Sequence, residues 1–419
     1  MLIGVIADDL TGATDVALML KREGMRVVQY AGQPMPDRAL PEVDAVVVAL
    51  KSRTAPVEEA VARSLASARA LLAAGAKQLM FIKYCSTFDS TDKGNIGPVA
   101  EALMAATGAQ SAVFCPAFPA NRRTVYQGHL FVGDALLSDS PMRDHPVTPM
   151  RDANLVRVLT WQTRMPVDLI PYAVIDQGPR AIAAAIAERE KSGPVMLICD
   201  AVSDRHLRDL GTALRGAAFL TGGSGIAMGL PGNFGFAAGT ASAETMAAPP
   251  GRCVVLAGSC SEATRRQVAA AMEAGLPTYR LDPLAVEPLS AQGDAALRWL
   301  LAQDASKPAV IYATAAPDAV AAAKQALGAD RAGARMEQAL SRIATRAVEA
   351  GARRLLVAGG ETSGAVVAAL GVTVLEIGPE IAPGVPWTRS IGTPDLALAL
   401  KSGNFGADDI FIKAWELLA

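Results

Sequence analysis

Short aliphatic runs alternate with longer alanine-rich amphipathic segments along this chain, and that alternation constrains the fold more than any other feature. The aliphatic runs have the length of buried strands, and the segments between them have the length of helices. Strands separated by helices form βαβ units, in which the strands lie parallel and the helices cover the sheet. In the first half we predict strands at residues 2–7, 27–30, 45–50, 78–84, 111–115, 167–170 and 194–200.

The alternation stops at residues 238–251, which show no periodicity and end in Pro-Pro-Gly, and it restarts after them. Proline and glycine clusters are typical of linkers. A chain of 419 residues is also too long for one ordinary hydrophobic core. We therefore predict an α/β protein of two domains, residues 1–240 and 250–419, each with a largely parallel sheet flanked by helices.

Charge and cysteine usage exclude several classes of protein. The net charge of -2 and the lack of a basic patch argue against nucleic-acid binding, and no apolar run reaches the length of a membrane helix. The five cysteines form no CxxC pair and the three histidines lie apart, so no dedicated metal site is expected. Reduced thiols and an amino terminus unlike a signal peptide predict a cytoplasmic protein.

Two adjacent carboxylates, Asp8 and Asp9, follow the first predicted strand and precede a predicted helix. Ligands of open α/β sheets bind at the carboxyl ends of strands, so this position favours function. Such carboxylates can hydrogen-bond substrate hydroxyls, and one can accept a proton from an attacking hydroxyl. We assign Asp9 to that catalytic role and Asp8 to substrate binding. The alternative is that either residue only caps the helix.

A polar loop follows the strand predicted at 78–84. It contains Lys83, Asp89, Ser90 and Lys93, and it leads into another helix. Lysines beside the amino terminus of a helix suit an anionic group, such as a carboxylate or a phosphoryl group. We assign these four residues to the substrate site. The alternatives are a capped turn and, for Lys93, a surface lysine.

A third strand end carries two arginines, Arg122 and Arg123, after a loop with two prolines. Either guanidinium could bind a carboxylate through two parallel hydrogen bonds. We assign Arg122 to the substrate site.

Glycine and hydroxyl residues recur at strand ends in the second half, at residues 258–261, 359–364 and 401–406. Glycine lets a backbone approach phosphates closely, and free helix N–H groups bind their charge. These turns favour a nucleotide site, although GxxxxGK[ST] and an early GxGxxG are absent. A nucleotide-dependent ligase, a dehydrogenase and a sugar-acid sensor without catalysis remain as rivals.

The motifs together resemble the four-carbon acid sugar kinase family. The resemblance rests on residues 7–13, 89–95, 258–261 and 359–364, in this order along nearly the whole chain. It implies ATP-dependent phosphorylation of the 4-hydroxyl of a four-carbon acid, with a substrate domain followed by a nucleotide domain. Residues 83–91 and 115–119 are most similar to the branch that acts on 3-oxo-tetronate. D-threonate or erythronate 4-kinase activity and non-catalytic sugar-acid binding are the alternatives.

The resemblance also implies a set of ATP contacts and a metal ion that arrives with the nucleotide. The partners are then a small sugar acid, ATP and Mg²⁺, and the sequence is compatible with a homodimer without fixing the oligomeric state. By resemblance, the ATP contacts are Ser259, Gly360, Glu361, Thr362, Ser363 and Gly403.

Overall fold

A computed structural model describes residues 1–33, 42–76, 79–145, 148–237, 245–282, 284, 289–315, 318, 322–323, 325–326 and 328–419. The chain divides into two compact units, Met1–Thr240 and Ala241–Ala419. Residues 238–244 of the predicted linker and residue 78 of a predicted strand lie outside the described residues.

The first unit is built from βαβ units, as the alternation predicts. Its elements are β1 (Ile3–Ala7), α1 (Leu10–Arg22), β2 (Val27–Ala31), β3 (Ala45–Ala49), α2 (Val57–Ala73), β4 (Leu79–Lys83), α3 (Ile96–Thr107), β5 (Ser111–Cys115), β6 (Arg123–Tyr126), β7 (His129–Val132), β8 (Ala135–Leu136), α4 (Leu155–Gln162), β9 (Val167–Ile170), α5 (Tyr172–Ile175), α6 (Pro179–Glu190), β10 (Val195–Cys199), α7 (Asp204–Ala213) and β11 (Phe219–Gly222).

The main sheet of this unit has the strand order β2-β3-β1-β4-β11-β5-β10-β9, and every pairing in it is parallel. Strands β1, β3 and β10 are buried along their whole length, which explains their unbroken aliphatic composition. Because the strands are parallel, the carboxyl ends of β3, β1, β4 and β5 lie on the same edge. The predicted substrate residues follow three of these ends, those of β1, β4 and β5.

A small antiparallel sheet, β6-β7-β8, follows β5 and was not predicted from the sequence. Its strands have four residues or fewer and are joined by tight glycine turns. Strands that short contain too few alternating positions to give a periodic signal. The sheet matters for the site because its first residue is Arg123.

The second unit also has a parallel sheet flanked by helices, but its sheet ends in two antiparallel strands. Its elements are β12 (Arg252–Ala257), α8 (Glu262–Glu273), β13 (Thr278–Arg280), α9 (Leu289–Ala302), β14 (Ala309–Tyr312), α10 (Ala329–Glu349), β15 (Ala352–Ala358), α11 (Gly360–Ala369), β16 (Val374–Ala382), β17 (Val385–Ser390), β18 (Ala397–Lys401) and α12 (Ile410–Lys413).

Strands β13-β14-β12-β15-β18 of this unit pair in parallel, and β17 and β16 continue the sheet in antiparallel fashion. Trp387 and Phe411 are fully buried against aliphatic residues of β12 and β15 and form part of its core. The predicted α/β class, with largely parallel sheets flanked by helices, is confirmed. In the described ranges, no helix is both long and apolar enough to cross a membrane.

Candidate active site

Asp8 and Asp9 lie at the end of β1 and share one cation, Arg53. Its guanidinium donates Nε–H to Oδ2 of Asp8 at 2.9 Å and NH2 to Oδ1 of Asp8 at 2.8 Å. NH2 also lies 3.1 Å from Oδ1 of Asp9, and NH1 lies 3.6 Å from Oδ2 of Asp89. Arg53 follows β3, the neighbour of β1, so the two strand ends bring these charges together. Sequence reasoning missed Arg53.

Asp9 is also the N-cap of α1. Its Oδ1 accepts a hydrogen bond from the Gly12 amide at 2.8 Å, and its Oδ2 accepts one from the Thr11 hydroxyl at 2.9 Å. The capping alternative is therefore real for Asp9, and it coexists with the charge cluster. The Asp9 side chain is 25% exposed and that of Asp8 is 14% exposed, so Asp9 offers more surface to a ligand.

The two carboxylates differ in proton affinity. Burial raises the pKa of Asp8, and this effect exceeds the opposing attraction of Arg53. Burial acts in the same direction on Asp9, but Arg53, Lys83, Thr11 and the Gly12 amide together hold the pKa of Asp9 below its usual value. Asp9 therefore keeps its negative charge at neutral pH, and it is the weaker base of the pair.

Lys83 ends β4 beside this pair and is almost fully buried. A Cβ added at Gly12 would lie 2.5 Å from the Lys83 Nζ and 2.2 Å from Oδ1 of Asp9, so the absence of a side chain there leaves room for both groups. The Lys83 charge also lowers the proton affinity of Asp8 and Asp9. The strand end thus combines two carboxylates and two cations, which suits a ligand with hydroxyls and negative charge.

The loop after β4 separates into a buried part and an exposed part. Asp89 accepts a hydrogen bond from the Thr87 hydroxyl and lies close to Arg53. Ser90 is buried, and its hydroxyl accepts a hydrogen bond from Nε2 of Gln162 at 2.7 Å. Lys93 is exposed. Of these predicted residues, only Asp89 directly contacts the cluster around Arg53.

Asn95 at the start of α3 holds the segment that carries Arg53. Its Nδ2 donates to the carbonyl oxygens of Ser52 at 2.8 Å and of Arg53 and Ala55, both at 3.3 Å. The helix α3 therefore fixes the loop after β3 and, with it, the guanidinium that binds both aspartates. Asn95 is a positioning residue for the cluster.

Arg122 and Arg123 face different surroundings although they are adjacent. Arg122 has a φ of 56°, is exposed, and packs its guanidinium near Gly133. Arg123 is half-buried; burial lowers the pKa of its guanidinium, and the negative charge of Asp89 opposes this effect. The structure thus places Arg123, the neighbour of the predicted Arg122, beside the buried part of the site.

The glycine turns of the second unit meet at one edge of its sheet, because β12, β15 and β18 are neighbours. A Cβ at Gly403 would lie 2.2 Å from Oγ of Ser259, so these two residues pack directly against each other. Ser261 caps α8, and its hydroxyl donates to the Gly403 carbonyl at 2.7 Å. The amide of Gly359 donates to the carbonyl of Lys401 at 2.9 Å, and this hydrogen bond connects the turn at 359–364 to the turn at 401–406.

The start of α11 carries the other predicted nucleotide residues. Gly360 and Glu361 are exposed, whereas Thr362 and Ser363 are buried. The Ser363 hydroxyl donates a hydrogen bond to the Val357 carbonyl oxygen at 3.4 Å, so this side chain faces the protein interior. Helices α8 and α11 both begin at this edge, and their free N–H groups can bind phosphate oxygens.

Lys401 lies below these turns and was not identified as a site residue from the sequence. Its side chain is fully buried, and Nζ donates to the Gly403 carbonyl and to Oγ1 of Thr264, both at 3.2 Å. Burial lowers its pKa to about 7. In the sequence Lys401 follows the aliphatic run Leu398–Leu400 and opens the turn 401–406, but its burial at the end of β18 depends on packing that the sequence does not report.

In the portion of the chain that the structure describes, no group of three or more His, Cys, Asp or Glu residues is placed to hold a metal ion.

Both units match family models. Residues 3–230 match the model described as a sugar-binding N-terminal domain, and residues 254–411 match the nucleotide-binding C-terminal domain. Proteins named 3-oxo-tetronate kinase from Burkholderia multivorans and Cupriavidus necator are each 53% identical to this chain, and in both cases the match covers 100% of this chain and 97% of the relative. The protein of that name from Salmonella typhimurium is 45% identical to this chain, and the match covers 98% of each of the two chains.

Solved structures show the same fold. One from Salmonella typhimurium, provisionally described as a tRNA synthase, is 44% identical with a TM-score of 0.89, covering 100% of this chain and 99% of that one. A Haemophilus influenzae protein is 39% identical with a TM-score of 0.78, covering 99% and 100%.

Fold and site together define a two-unit α/β protein with a sugar-binding family domain followed by a nucleotide-binding one. The full-length relatives narrow this class further. The chain belongs to the four-carbon acid sugar kinase family.

Proposed function

We propose that this protein is an ATP-dependent kinase that phosphorylates the 4-hydroxyl of a four-carbon sugar acid, and that its acceptor is 3-oxo-tetronate. The observation that carries the proposal is the full-length identity of 53% to proteins named 3-oxo-tetronate kinase. The charge cluster at the end of β1 supports it, because it offers carboxylates for hydroxyl groups and cations for an acid. Residues 1–240 would bind the acid, and residues 250–419 would bind ATP.

In the acid site, Asp9 is the group that receives the attacking hydroxyl. Its charge persists at neutral pH, and it is more exposed than Asp8, whose two oxygens are both bound by Arg53. Asp8 and Arg53 then form a neutral pair that positions Asp9. Lys83 supplies positive charge beside it, and Asp89 extends the site towards Arg123. Ser90, Lys93 and Arg122 remain predicted substrate residues with weaker structural support.

In the nucleotide site, ATP would lie on the turns that contain Ser259, Gly360 and Gly403. The amino termini of α8 and α11 can bind its phosphate oxygens. Glu361 and Thr362 are positioned at the first turn of α11, whereas Ser363 can contribute only through its backbone, given its inward hydroxyl. Mg²⁺ would enter bound to the ATP phosphates, as is usual for phosphoryl transfer.

The reaction is an in-line displacement at the γ-phosphorus. The 4-oxygen of the acid forms a bond to phosphorus, the bond to the bridging oxygen of ADP breaks, and the hydroxyl proton passes to Asp9. Because such transition states are loose, the proton moves late and a weak base that fixes the hydroxyl is sufficient. Catalysis then depends mainly on positioning and charge stabilisation.

The decisive experiment is a screen of four-carbon acids with Mg-ATP and coupled detection of ADP. We expect turnover of 3-oxo-tetronate and formation of a 4-phosphate ester, detected by phosphorus NMR. Preference for D-threonate or erythronate would keep the kinase but change the acceptor. AMP formation would indicate a ligase, and binding of an acid without ATP consumption would indicate a sensor; either result would refute the proposal.

A cytoplasmic location and a homodimer stay predictions. The first follows from the requirement for ATP, and cell fractionation tests it. The second is tested by the mass of the purified protein in solution.

A further inference from the structure

Two side-chain hydrogen-bond donors, one in the loop between β5 and β6 and one at the first residue of β6, are buried and have no partner among the residues that the structure describes. They are Nδ2 of Asn121 and Nε of Arg123. Buried polar atoms are nearly always hydrogen-bonded, so an unpaired pair this close in sequence calls for an explanation, such as a ligand. Both atoms are donors, which indicates a ligand that accepts hydrogen bonds.

The backbone of this loop fixes Arg123 before any ligand arrives. Phe118 and Arg123 exchange two backbone hydrogen bonds, of 2.8 and 3.1 Å, and NH1 of Arg123 donates to the Asn121 carbonyl at 2.6 Å. Arg122, between them, adopts a left-handed conformation and is exposed. The loop therefore presents Asn121 and Arg123 to the protein and Arg122 to solvent.

The groups around Arg123 compensate its charge only in part. Burial lowers the pKa of its guanidinium, which means that its charge lacks full compensation. Asp89 acts on it from a distance, but Asp89 is already bound by Thr87 and lies 3.6 Å from Arg53. Lys83 differs because it lies beside Asp9, whose charge balances it.

We propose that Arg123, assisted by the side-chain amide of Asn121, binds the carboxylate of the substrate and so selects an acid over a neutral sugar of the same length. The inference rests on the proposed function for the identity of the ligand. The site then has a direction, with the carboxylate held at β5 and the reacting hydroxyl held by the carboxylates at β1. Asp89 separates the two ends and can accept a hydrogen bond from a hydroxyl between them.

The test compares the acid with a neutral analogue in which the carboxylate is replaced by a hydroxymethyl group, the four-carbon ketose erythrulose. Hydrogen bonds to charged groups are worth about 1.5–3 kcal/mol, so Arg123→Gln should lower kcat/KM for 3-oxo-tetronate about 10- to 100-fold. Its kcat/KM for erythrulose should stay within about twofold of wild type, because that substrate has no carboxylate to lose. The preference for the acid then collapses by the same 10- to 100-fold.

Three further variants make the comparison specific. Asn121→Asp keeps the shape of the side chain but replaces its hydrogen-bond donor with an acceptor. It should lower kcat/KM for the acid at least about tenfold and leave kcat/KM for erythrulose unchanged. Arg180→Gln removes an exposed arginine on α6 and is the charge control. Arg122→Gln tests the neighbouring arginine, and we expect its loss to be at least about tenfold smaller than that of Arg123→Gln. Circular dichroism of each variant separates misfolding from lost recognition.

Calorimetric titration of the acid, without ATP, separates this inference from the proposed function. Loss of acid binding in Arg123→Gln supports the inference whether or not ATP is consumed. Wild-type affinity in Arg123→Gln, or a loss confined to Arg122→Gln, overturns it even if the protein proves to be a kinase. An equal loss for the acid and for erythrulose would also overturn it, since the carboxylate would then not be the group that Arg123 recognises.

Discussion

Arg53 binds both oxygens of Asp8 through its Nε and NH2, at 2.9 and 2.8 Å, and the same NH2 lies 3.1 Å from Asp9. One guanidinium thus contacts two adjacent carboxylates and reduces the repulsion between them. Burial lowers the pKa of Arg53, but the charges of Asp8 and Asp9 outweigh burial and hold that pKa well above its usual range. The acid site therefore depends on a residue that takes no part in the chemistry proposed for it.

Replacing Arg53 by methionine should destabilise the fold and abolish most activity. Breaking one partner of a partly buried pair leaves an uncompensated charge, for which we expect a loss of about 1–3 kcal/mol in the free energy of unfolding. Denaturant titration measures it. The double variant Asp8→Asn, Arg53→Met should recover part of the stability, because one of the repelling charges is gone. No difference between the single and double variants would contradict a coupled pair.

Arg53 shows which parts of the site the sequence predicts and which it does not. Asp8 and Asp9 stand out because two carboxylates follow a clear strand. Arg53 follows the strand β3 in the same way, but Lys51-Ser52-Arg53-Thr54 resembles an ordinary surface turn. Knowing that β3 pairs with β1 would have identified it, since parallel neighbours end on the same edge. Strand order, however, is a long-range property that local periodicity does not report.

Arg122 and Arg123 illustrate a second limit. Which of two adjacent side chains faces the site depends on the φ of Arg122, and positive values are uncommon for any residue other than glycine. The parallel core of both sheets was predictable because buried strands are aliphatic throughout. The antiparallel hairpin β16–β17 was missed, although Pro383-Gly384 at its tip is a turn signal. Strand β16 is only partly buried, so its sequence lacks the unbroken aliphatic run that marks the other strands.

Asp9→Asn should remove most turnover and leave the fold intact. Asparagine is as good an N-cap as aspartate, so α1 keeps its cap while the site loses a charge. We expect kcat to fall at least about 100-fold, as is typical for loss of a group that handles a proton. Unfolding curves serve as the control. Near-wild-type kcat would remove Asp9 from the reaction.

The low pKa of Asp9 also fixes a pH dependence. A carboxyl whose pKa is lower in the folded state stabilises the fold above its unfolded value, near 3.8, and this contribution disappears as the pH falls through the lower folded pKa. We therefore expect no activity limb from Asp9 between pH 5 and pH 8. If the kcat of wild type has an acid limb in that range, and Asp9→Asn removes the limb, this assignment of the pKa is wrong.

Gly12→Ala tests the packing between α1 and Lys83. Alanine normally stabilises a helix interior by up to about 1 kcal/mol over glycine. Here its Cβ would lie 2.2 Å from the Asp9 Oδ1 and 2.5 Å from the Lys83 Nζ, so we expect lower stability and weaker acid binding instead. Gly232→Ala is the control, because a Cβ there meets no atom within 4 Å. Equal behaviour of the two variants would refute the clash.

Gly403→Ala should act on ATP and not on the acid. The added Cβ would lie 2.2 Å from the Ser259 Oγ and would displace the turn that we assign to the nucleotide. We expect the KM for ATP to rise at least about tenfold, with the KM for the acid unchanged. Gly333→Ala on α10 has open space around its Cβ and is the matched control. A rise in the KM for the acid alone would reverse the domain assignment.

Lys401 should give the second unit a pH-dependent stability. Its pKa of about 7 lies below the value of 10.5 for a free lysine, so between these values the unfolded chain binds a proton that the folded chain does not. Stability therefore rises with pH across this window, by up to about 1.4 kcal/mol per pH unit from this group. Lys401→Met should lose this slope and should exceed wild type in stability most clearly near pH 7.

Chemical unfolding of wild type and Lys401→Met between pH 6.5 and pH 9 measures the difference, because groups common to both proteins cancel. Lys413→Met is the control, since that lysine is exposed and paired with Asp409. Identical slopes in wild type and Lys401→Met would show that Lys401 stays charged when buried. Its hydrogen bonds to Gly403 and Thr264 would then belong to an ammonium, which would make Lys401 a permanent cation beneath the proposed phosphate site.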